Sequence, residues 1–316
     1  MNSLGYVKRY GLLTALILLF IVSSLLFNSF FSKVNVINIS IQASTYLLMA
    51  LGLTIVMMAG EIDLSFAASI PLCSTVLTLG LNNGLGVLSI LIILCILLFI
   101  SGINSFFITW MKLSSFVTTI AMMFFLTGVS YALFGGKSYW LTYLSLKNFL
   151  EFNFFIIPIS VVLVAITSIL LIIFTLKTKY GRHLRACGEN AASAQSNGLN
   201  LNWYKFLAFL IAGICYTLAT VVMNSRLSGS VGPSAGGNVM LPVMAIAFLG
   251  QTTFIIGRPN IIGTFVAGFF MATVENALIL SNVVFYYVPV IQGVILVVAI
   301  VLSSIGDRKL VQLKFI

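Results

Sequence analysis

The chain has 316 residues, of which 60% are hydrophobic and only 7% are charged. Soluble domains carry roughly 25% charged residues, so this composition excludes an ordinary soluble protein and indicates one that lies in a lipid bilayer. The net charge of +10 does not indicate a nucleic-acid-binding protein, because the basic residues are scattered between apolar runs without a basic stripe or interleaved aromatic residues. Basic residues spaced in this way are typical of the cytoplasmic loops of membrane proteins.

The first apolar run extends from Gly11 to about Phe31 and follows Lys8 and Arg9. It is longer than the ~7–15 residues of a signal-peptide core and has no small-x-small cleavage site, so we interpret it as an uncleaved first span. Nine further candidate spans follow, at about 37–60, 64–81, 86–111, 115–135, 155–176, 204–225, 240–257, 260–280 and 285–305. The expected fold class is therefore all-α, a polytopic integral membrane protein with about ten transmembrane helices.

The basic residues give an independent indication of the number of spans. With the N-terminus inside, the predicted cytoplasmic segments contain Lys8, Arg9, Lys112, Lys177, Lys179, Arg182, Arg185, Lys205, Arg258, Arg308, Lys309 and Lys314. The predicted outer segments contain only Lys33, Lys137, Lys147 and Arg226, which accounts for all 16 basic residues. Because adding or removing one span would scramble this partition, we expect both termini to be cytoplasmic.

The eighth span, 240–257, has the weakest pattern. It has about 18 residues and is interrupted by Pro242 and Gly250. Two interpretations stay open: it crosses the membrane fully, or it is re-entrant or broken, which is tolerated only where the chain is buried in protein.

Two carboxylates mark the connection between the second and third spans, in the sequence Gly60-Glu61-Ile62-Asp63-Leu64-Ser65. Asp63 has the spacing to cap the third helix at the membrane surface through backbone N–H groups that the helix leaves unpaired. A coupling carboxylate is the alternative role.

Several polar residues occur inside the predicted spans. Each could line a substrate path or simply bond to a neighbouring helix, where one side-chain hydrogen bond is worth about 0.6–2 kcal/mol. Glu275 is the only acidic residue well inside a span, and it could equally be an interfacial carboxylate. The candidates for a substrate path are Asn104, Thr118, Thr119, Glu275, Asn276 and Gln292.

The longest polar interruption of the chain runs from 178 to 202 and lies between two apolar runs. Within it, 190–197 is predicted to be a short helix of small residues. Glu189 or Asn190 can cap its start, and Gly198 can end it in the left-handed conformation. The alternative is a solvated loop between two spans, as its charges would also allow.

No motif for catalysis, metal binding or nucleotide binding is present in the sequence. The four cysteines, Cys73, Cys95, Cys187 and Cys215, have neither CxxC nor Cys/His spacing. Gly135-Gly136-Lys137-Ser138 matches only the tail of a phosphate-binding loop and follows a membrane span instead of a strand. His183 stands alone in a basic loop and is expected to be solvated. We therefore expect no enzymatic activity, no bound metal and no cofactor in this chain.

The segment GRHLRACGENAASAQSNGLNLN resembles the cytoplasmic loop of ribose-type ABC transporter permeases, a family that includes sugar and autoinducer-2 importers. The resemblance extends to 60–65, to 116–128 and to 226–303, and so covers most of the chain. It implies one permease domain over 1–316 whose loop, 178–202, carries the coupling helix that docks into an ATPase subunit. The residues that would make this contact are Glu189, Asn190, Ala191, Ala192, Ser193 and Gly198.

The same resemblance implies the partners and the location. They are two ATPase subunits that bind ATP and Mg²⁺, a periplasmic or lipid-anchored substrate-binding protein, and a second permease subunit, identical or a sister. The location is the inner membrane of a bacterial cell. The sequence departs from the family at Glu61, where glycine is usual, and at Met240-Leu241-Pro242, where many members have Glu-Leu-Asp.

The leading hypothesis is thus the membrane-spanning permease of an ATP-driven importer of a sugar or sugar-like solute. The alternative is a secondary transporter of a small polar solute that is coupled to H⁺ or Na⁺. Such a transporter needs ionisable groups or broken helices near the midplane, often in paired halves. Glu275 alone is a poor basis for it, and no internal repeat is visible.

Overall fold

The structure is a computed structural model that describes residues 3–142, 153–154, 157–227, 229, 236–284 and 286–312. These residues form twelve helices and one antiparallel pair of two-residue strands. The helices are α1 (Ser3–Leu26), α2 (Lys33–Met58), α3 (Phe66–Asn82), α4 (Val87–Thr109), α5 (Ser115–Phe134), α6 (Ile159–Lys177), α7 (Lys179–Glu189), α8 (Ala191–Ser196), α9 (Leu201–Leu227), α10 (Gly236–Gly250), α11 (Ile261–Leu280) and α12 (Tyr287–Gln312). The strands β1 (Asn153–Phe154) and β2 (Ile157–Pro158) precede α6.

Ten of these helices are apolar and follow the order of the ten predicted spans. Six of them, α2, α4, α5, α6, α9 and α11, are long and apolar enough to cross a bilayer, while α1, α3, α10 and α12 contain shorter apolar stretches. The expected fold class, an all-α polytopic membrane protein, is confirmed. The cytoplasmic placement of both termini stays a prediction.

The structure corrects two predicted spans. The first helix ends at Leu26 instead of about residue 31, and turns occupy 27–32. The helix expected over 240–257 ends at Gly250. At 1.5 Å per residue, its 15 residues reach about 22 Å, which is less than the ~30 Å hydrocarbon core, so α10 cannot cross alone. The helix of the eighth span is thus interrupted after Gly250, and whether the whole segment crosses the membrane or is re-entrant stays a prediction.

The helices form two compact units, one made of Met1–Thr54 with Leu241–Ile316 and the other of Ile55–Met240. In the first, which we call the terminal unit, α11 packs against α1 and α2; Thr54 and Thr264 share a hydrogen bond of 2.8 Å there. In the second, the central unit, α9 packs against α3 and α4, and the rings of Phe66 and Tyr216 lie 5.7 Å apart. A single domain over 1–316 stays a prediction.

Helix ends that are expected on the same side of the membrane meet within the central unit. At one end, the Asn82 side chain donates to the Trp140 carbonyl and accepts from the Thr142 backbone N–H. At the opposite helix ends, the Lys112 ammonium donates to Asn202. This arrangement agrees with the predicted order of spans without fixing which side is cytoplasmic.

Candidate functional site

The polar segment 178–202 is folded into two helices. Thr178 caps α7 by accepting a hydrogen bond of 3.1 Å from the backbone N–H of Gly181. Asn190 caps α8, because its side-chain oxygen accepts from the backbone N–H of Ser193 at 3.0 Å. Gly198, with φ of +79°, has the left-handed conformation expected for the stop. The predicted short helix is therefore confirmed with Asn190 as its cap, while Glu189 is the last residue of α7.

The short helix α8 presents almost all of its surface outward. Ala194 is its one buried residue, whereas Ala191, Ala192 and Ser193 are exposed. Because these side chains are small, a partner can approach the helix backbone closely. The result is a short, capped helix that faces outward and carries small side chains.

The longer helix α7, which the sequence pattern did not indicate, holds α8 against the rest of the central unit. Its buried residues, Gly181, Leu184 and Cys187, follow helical spacing along one face. His183, which was expected to be solvated, is half-buried, and its Nδ1 lies 2.7 Å from the hydroxyl of Tyr204 on α9, so it is only partly solvated. Burial raises the pKa of the Cys187 thiol, which keeps it protonated at neutral pH.

Two glycines bring the end of α7 into backbone contact with the end of α2. A Cβ placed on Gly188 would lie 2.1 Å from the carbonyl oxygen of Met58 and 2.8 Å from the backbone nitrogen of Gly60. Gly60 has φ of +83°, which favours glycine. Beside this contact, Lys205 of α9 forms an ion pair with Glu61. The sequence signal for the pairing was the unusual acid at position 61, which the sequence analysis left without a role.

Asp63 has a different place from the one predicted. Its Oδ1 accepts from the backbone N–H and the hydroxyl of Ser65, at 2.9 and 2.7 Å, and the residue is fully buried. The predicted bond to a backbone N–H at the start of α3 is therefore present, since Ser65 directly precedes Phe66, but the predicted place at the membrane surface is wrong because Asp63 is buried. Burial raises the pKa of the Asp63 carboxyl, and the hydrogen bonds from Ser65 oppose that shift.

The central unit contains three of the proposed path residues. Asn104 is fully buried and donates to the Ser65 hydroxyl at 2.8 Å. Thr119 donates to the carbonyl of Ser115 at 2.8 Å, within its own helix. Thr118 lines an open, mostly apolar groove of about 470 Å³ formed by α5 with Phe107 of α4 and Leu113. Asn104 and Thr119 thus bond within the protein, and Thr118 alone borders an open space.

The terminal unit contains the other three residues that were proposed for a substrate path. Asn276 exchanges two hydrogen bonds with Asn35, at 3.0 and 2.8 Å, so its amide is engaged in joining α11 to α2. Glu275 is half-buried and accepts from the Tyr46 hydroxyl at 3.4 Å. Gln292 is buried on α12. Among these three residues, Glu275 is the one that is not fully buried.

The described residues of the two units contain no cluster that could bind a metal ion. Among the described residues, no group of three or more His, Cys, Asp or Glu side chains lies close enough together. The four cysteines are free thiols.

Comparison with known proteins yields one family and a set of curated relatives. The family model described as "Branched-chain amino acid transport system / permease component" matches residues 35–300. The chain is 30% identical to a ribose import permease protein of Bacillus subtilis (strain 168) over 310 residues, which cover 96% of this chain and 94% of the relative.

Two other relatives carry different substrate names. A D-allose transport system permease protein of Escherichia coli (strain K12) is 27% identical, covering 95% of this chain and 93% of the relative. An autoinducer 2 import system permease protein of Photorhabdus luminescens is 28% identical, covering 92% and 88%. No solved structure matches the chain.

Proposed function

Because the chain belongs to the family of branched-chain amino acid transport system permease components, we propose that it is the membrane-spanning permease subunit of an ATP-driven ABC importer. Its solute is a sugar or a sugar-like molecule that an extracytoplasmic binding protein delivers. Three relatives that align with more than nine tenths of this chain are named for ribose, D-allose and autoinducer 2, which favours this solute class over the amino acids of the family description. The same names favour the permease over the ion-coupled secondary transporter.

The observation that carries the proposal is α8. It is capped by Asn190, ended by Gly198, anchored through Ala194 and otherwise exposed. A helix of this size and low bulk fits a groove on a partner protein, and the ATPase subunit is the partner that an importer requires. ATP and Mg²⁺ bind to that subunit, so this chain hydrolyses nothing itself.

On the transport side, this chain supplies a weakly polar path. The Glu275 carboxylate and the Tyr46 hydroxyl accept and donate hydrogen bonds, as the hydroxyl groups of a sugar require. Weak binding of the solute along the path suits a permease, because a site that binds tightly would slow release of the solute. Closure of the ATPases displaces α8 and turns the path from outward-facing to inward-facing. A second permease subunit completes the importer in the inner membrane of a bacterial cell.

The test of this proposal is Ala192→Arg. The long cation would hold the ATPase away from α8, so the ATPase subunits that co-purify with the wild-type chain should be lost and solute uptake should cease. Ala192→Ser, which keeps the residue small and neutral, is the matched control and should retain both. Full ATP-dependent uptake by the arginine variant would refute the docking role of α8.

A further inference from the structure

The connection between α2 and α3 is a meeting point of four helices in the central unit. We call residues 60–65 the hub segment. From α5, the Ser115 hydroxyl accepts from the backbone N–H of Ile62 at 3.3 Å. From α4, Asn104 donates to the Ser65 hydroxyl at 2.8 Å. The two remaining helices, α7 and α9, also reach the hub segment.

The contact from α7 consists of backbone against backbone. A Cβ on Gly188 would fall 2.1 Å from the Met58 carbonyl oxygen, and one on Gly60 would fall 3.3 Å from the Cα of Gly188. Real Cβ atoms do not approach so closely, so only glycine fits position 188 without a shift of one of the two backbones. With no side chain between them to change rotamer, a movement of the end of α7 displaces the end of α2 directly.

The contact from α9 is electrostatic. The ammonium of Lys205 pairs with the carboxylate of Glu61, and their side chains are only 24% and 13% exposed. Such partial burial limits screening by solvent, so the attraction between the two charges is stronger than in a surface ion pair. The ion pair lies directly beside the backbone contact of Gly188, because Glu61 follows Gly60 in the chain and Lys205 pairs with Glu61. We call the backbone contact and the ion pair together the joint.

We propose that Gly188 and the Glu61–Lys205 pair are positioning residues for transport. They pass the displacement of α8, through α7 and the hub segment, to α4, α5 and α9. This inference rests on the proposed function, because it takes α8 as the helix that the ATPase moves. It adds to that function the joint through which the movement enters the transmembrane helices.

The first test is Gly188→Ala in the complete importer reconstituted in liposomes. The ATPase subunits should still co-purify and hydrolyse ATP, but the solute imported per ATP should fall by about tenfold, within the usual range of coupling energies. Gly102→Ala on α4, where no atom lies within 4 Å of the added Cβ, is the matched control and should leave the ratio unchanged. A wild-type ratio in Gly188→Ala would contradict the role of Gly188.

A charge-reversal cycle keeps the proposal testable if Gly188→Ala fails to reach the membrane. Glu61→Lys and Lys205→Glu should each lower the solute imported per ATP, because each places like charges in the joint. The double variant restores an opposite pair and should recover most of the ratio. Unchanged ratios in both single variants, or no recovery in the double variant, would contradict the role of the pair.

The two proposals fail in distinguishable ways. If the wild-type chain shows no ATP-dependent uptake with any ATPase, the proposed function fails. If Ala192→Arg leaves ATPase binding and uptake intact, the importer stands but α8 is not the docking helix, and the joint that depends on it is refuted with it. If Ala192→Arg abolishes them while Gly188→Ala and the charge reversals keep the wild-type ratio, only the joint at the hub segment is refuted.

Discussion

Adjacent residues on α11 have different roles. The side-chain amide of Asn276 accepts a hydrogen bond of 3.0 Å from Asn35 and donates one of 2.8 Å to it, and so joins α11 to α2. Glu275 is half-buried and bonds to the Tyr46 hydroxyl at the longer distance of 3.4 Å. Because this bond is longer and Glu275 is not fully buried, we expect it to be exchanged for a bond to a passing hydroxyl group more readily than the bonds of Asn276. At the residue scale, Glu275 is therefore the better candidate for contact with a solute.

We predict that Glu275→Gln keeps ATP-dependent uptake. The amide has the same shape and still accepts from Tyr46, so the apparent affinity should change by less than about tenfold, the worth of one hydrogen bond. Uptake is measured in proteoliposomes at constant ATP, with and without a proton gradient, and dissipating the gradient should not stop it. Loss of accumulation in this variant, or gradient-driven accumulation by the chain without any ATPase, would support the secondary transporter instead.

The largest departure from the predicted spans is the non-helical segment 251–260 between α10 and α11, which we call the break. Asn260 organises it, because its side-chain oxygen accepts from the Gly263 backbone N–H at 2.6 Å. Its amide group donates to the carbonyls of Gly250 and Thr253, at 2.9 and 3.1 Å. A non-helical segment in a membrane protein needs such internal partners, because lipid offers none. One buried side chain thus stabilises both the end of α10 and the start of α11.

We predict that Asn260→Ala lowers the free energy of unfolding by about 2–4 kcal/mol, through loss of the cap and of the bonds to buried carbonyls. Asn190→Ala is the matched control, since it removes an exposed asparagine cap and should cost only about 0.5–1 kcal/mol. Denaturant titration in mixed micelles measures both. Equal losses in the two variants would show that the break does not depend on the buried asparagine.

At the scale of the whole molecule, the predicted topology with ten spans divides the basic residues twelve to four between the two sides of the membrane. Within the central unit the structure brings together ends that this division places on one side, such as Lys112 with Asn202. The ends at Asn82 and Trp140 meet at the other side. The charge partition predicts that the first side is cytoplasmic, which is the side where the proposed ATPase would meet α8.

We predict that a cysteine at position 312 is labelled only from the cytoplasm, because both termini are expected inside. The measurement uses a membrane-impermeant maleimide on whole cells, in a variant with Cys73, Cys95, Cys187 and Cys215 replaced by serine. Asn83→Cys, in the exposed turn between α3 and α4, is the control and should be labelled from outside. External labelling at position 312 would overturn the topology.

Much of the candidate site could be predicted because it depends on local chemistry. Asn190 and Gly198 bound α8 through hydrogen bonds and a φ angle that involve only neighbouring residues. The pairing of Glu61 with Lys205 could not be predicted, since 144 positions separate them. Gly188 and Gly60 likewise show in the sequence only as two glycines, without a sign that their backbones touch.

The sequence by itself determined the class of the protein, the order of its apolar helices and the site of its short exposed helix. Hydropathy, charge asymmetry and capping act within a helix or across a membrane surface, so composition and spacing express them. The tertiary structure alone decided that α10 stops at Gly250, that Asp63 is buried, and that the hub segment joins α7 to the transmembrane helices. These features depend on which buried groups find partners from distant parts of the chain, and only packing selects those partners.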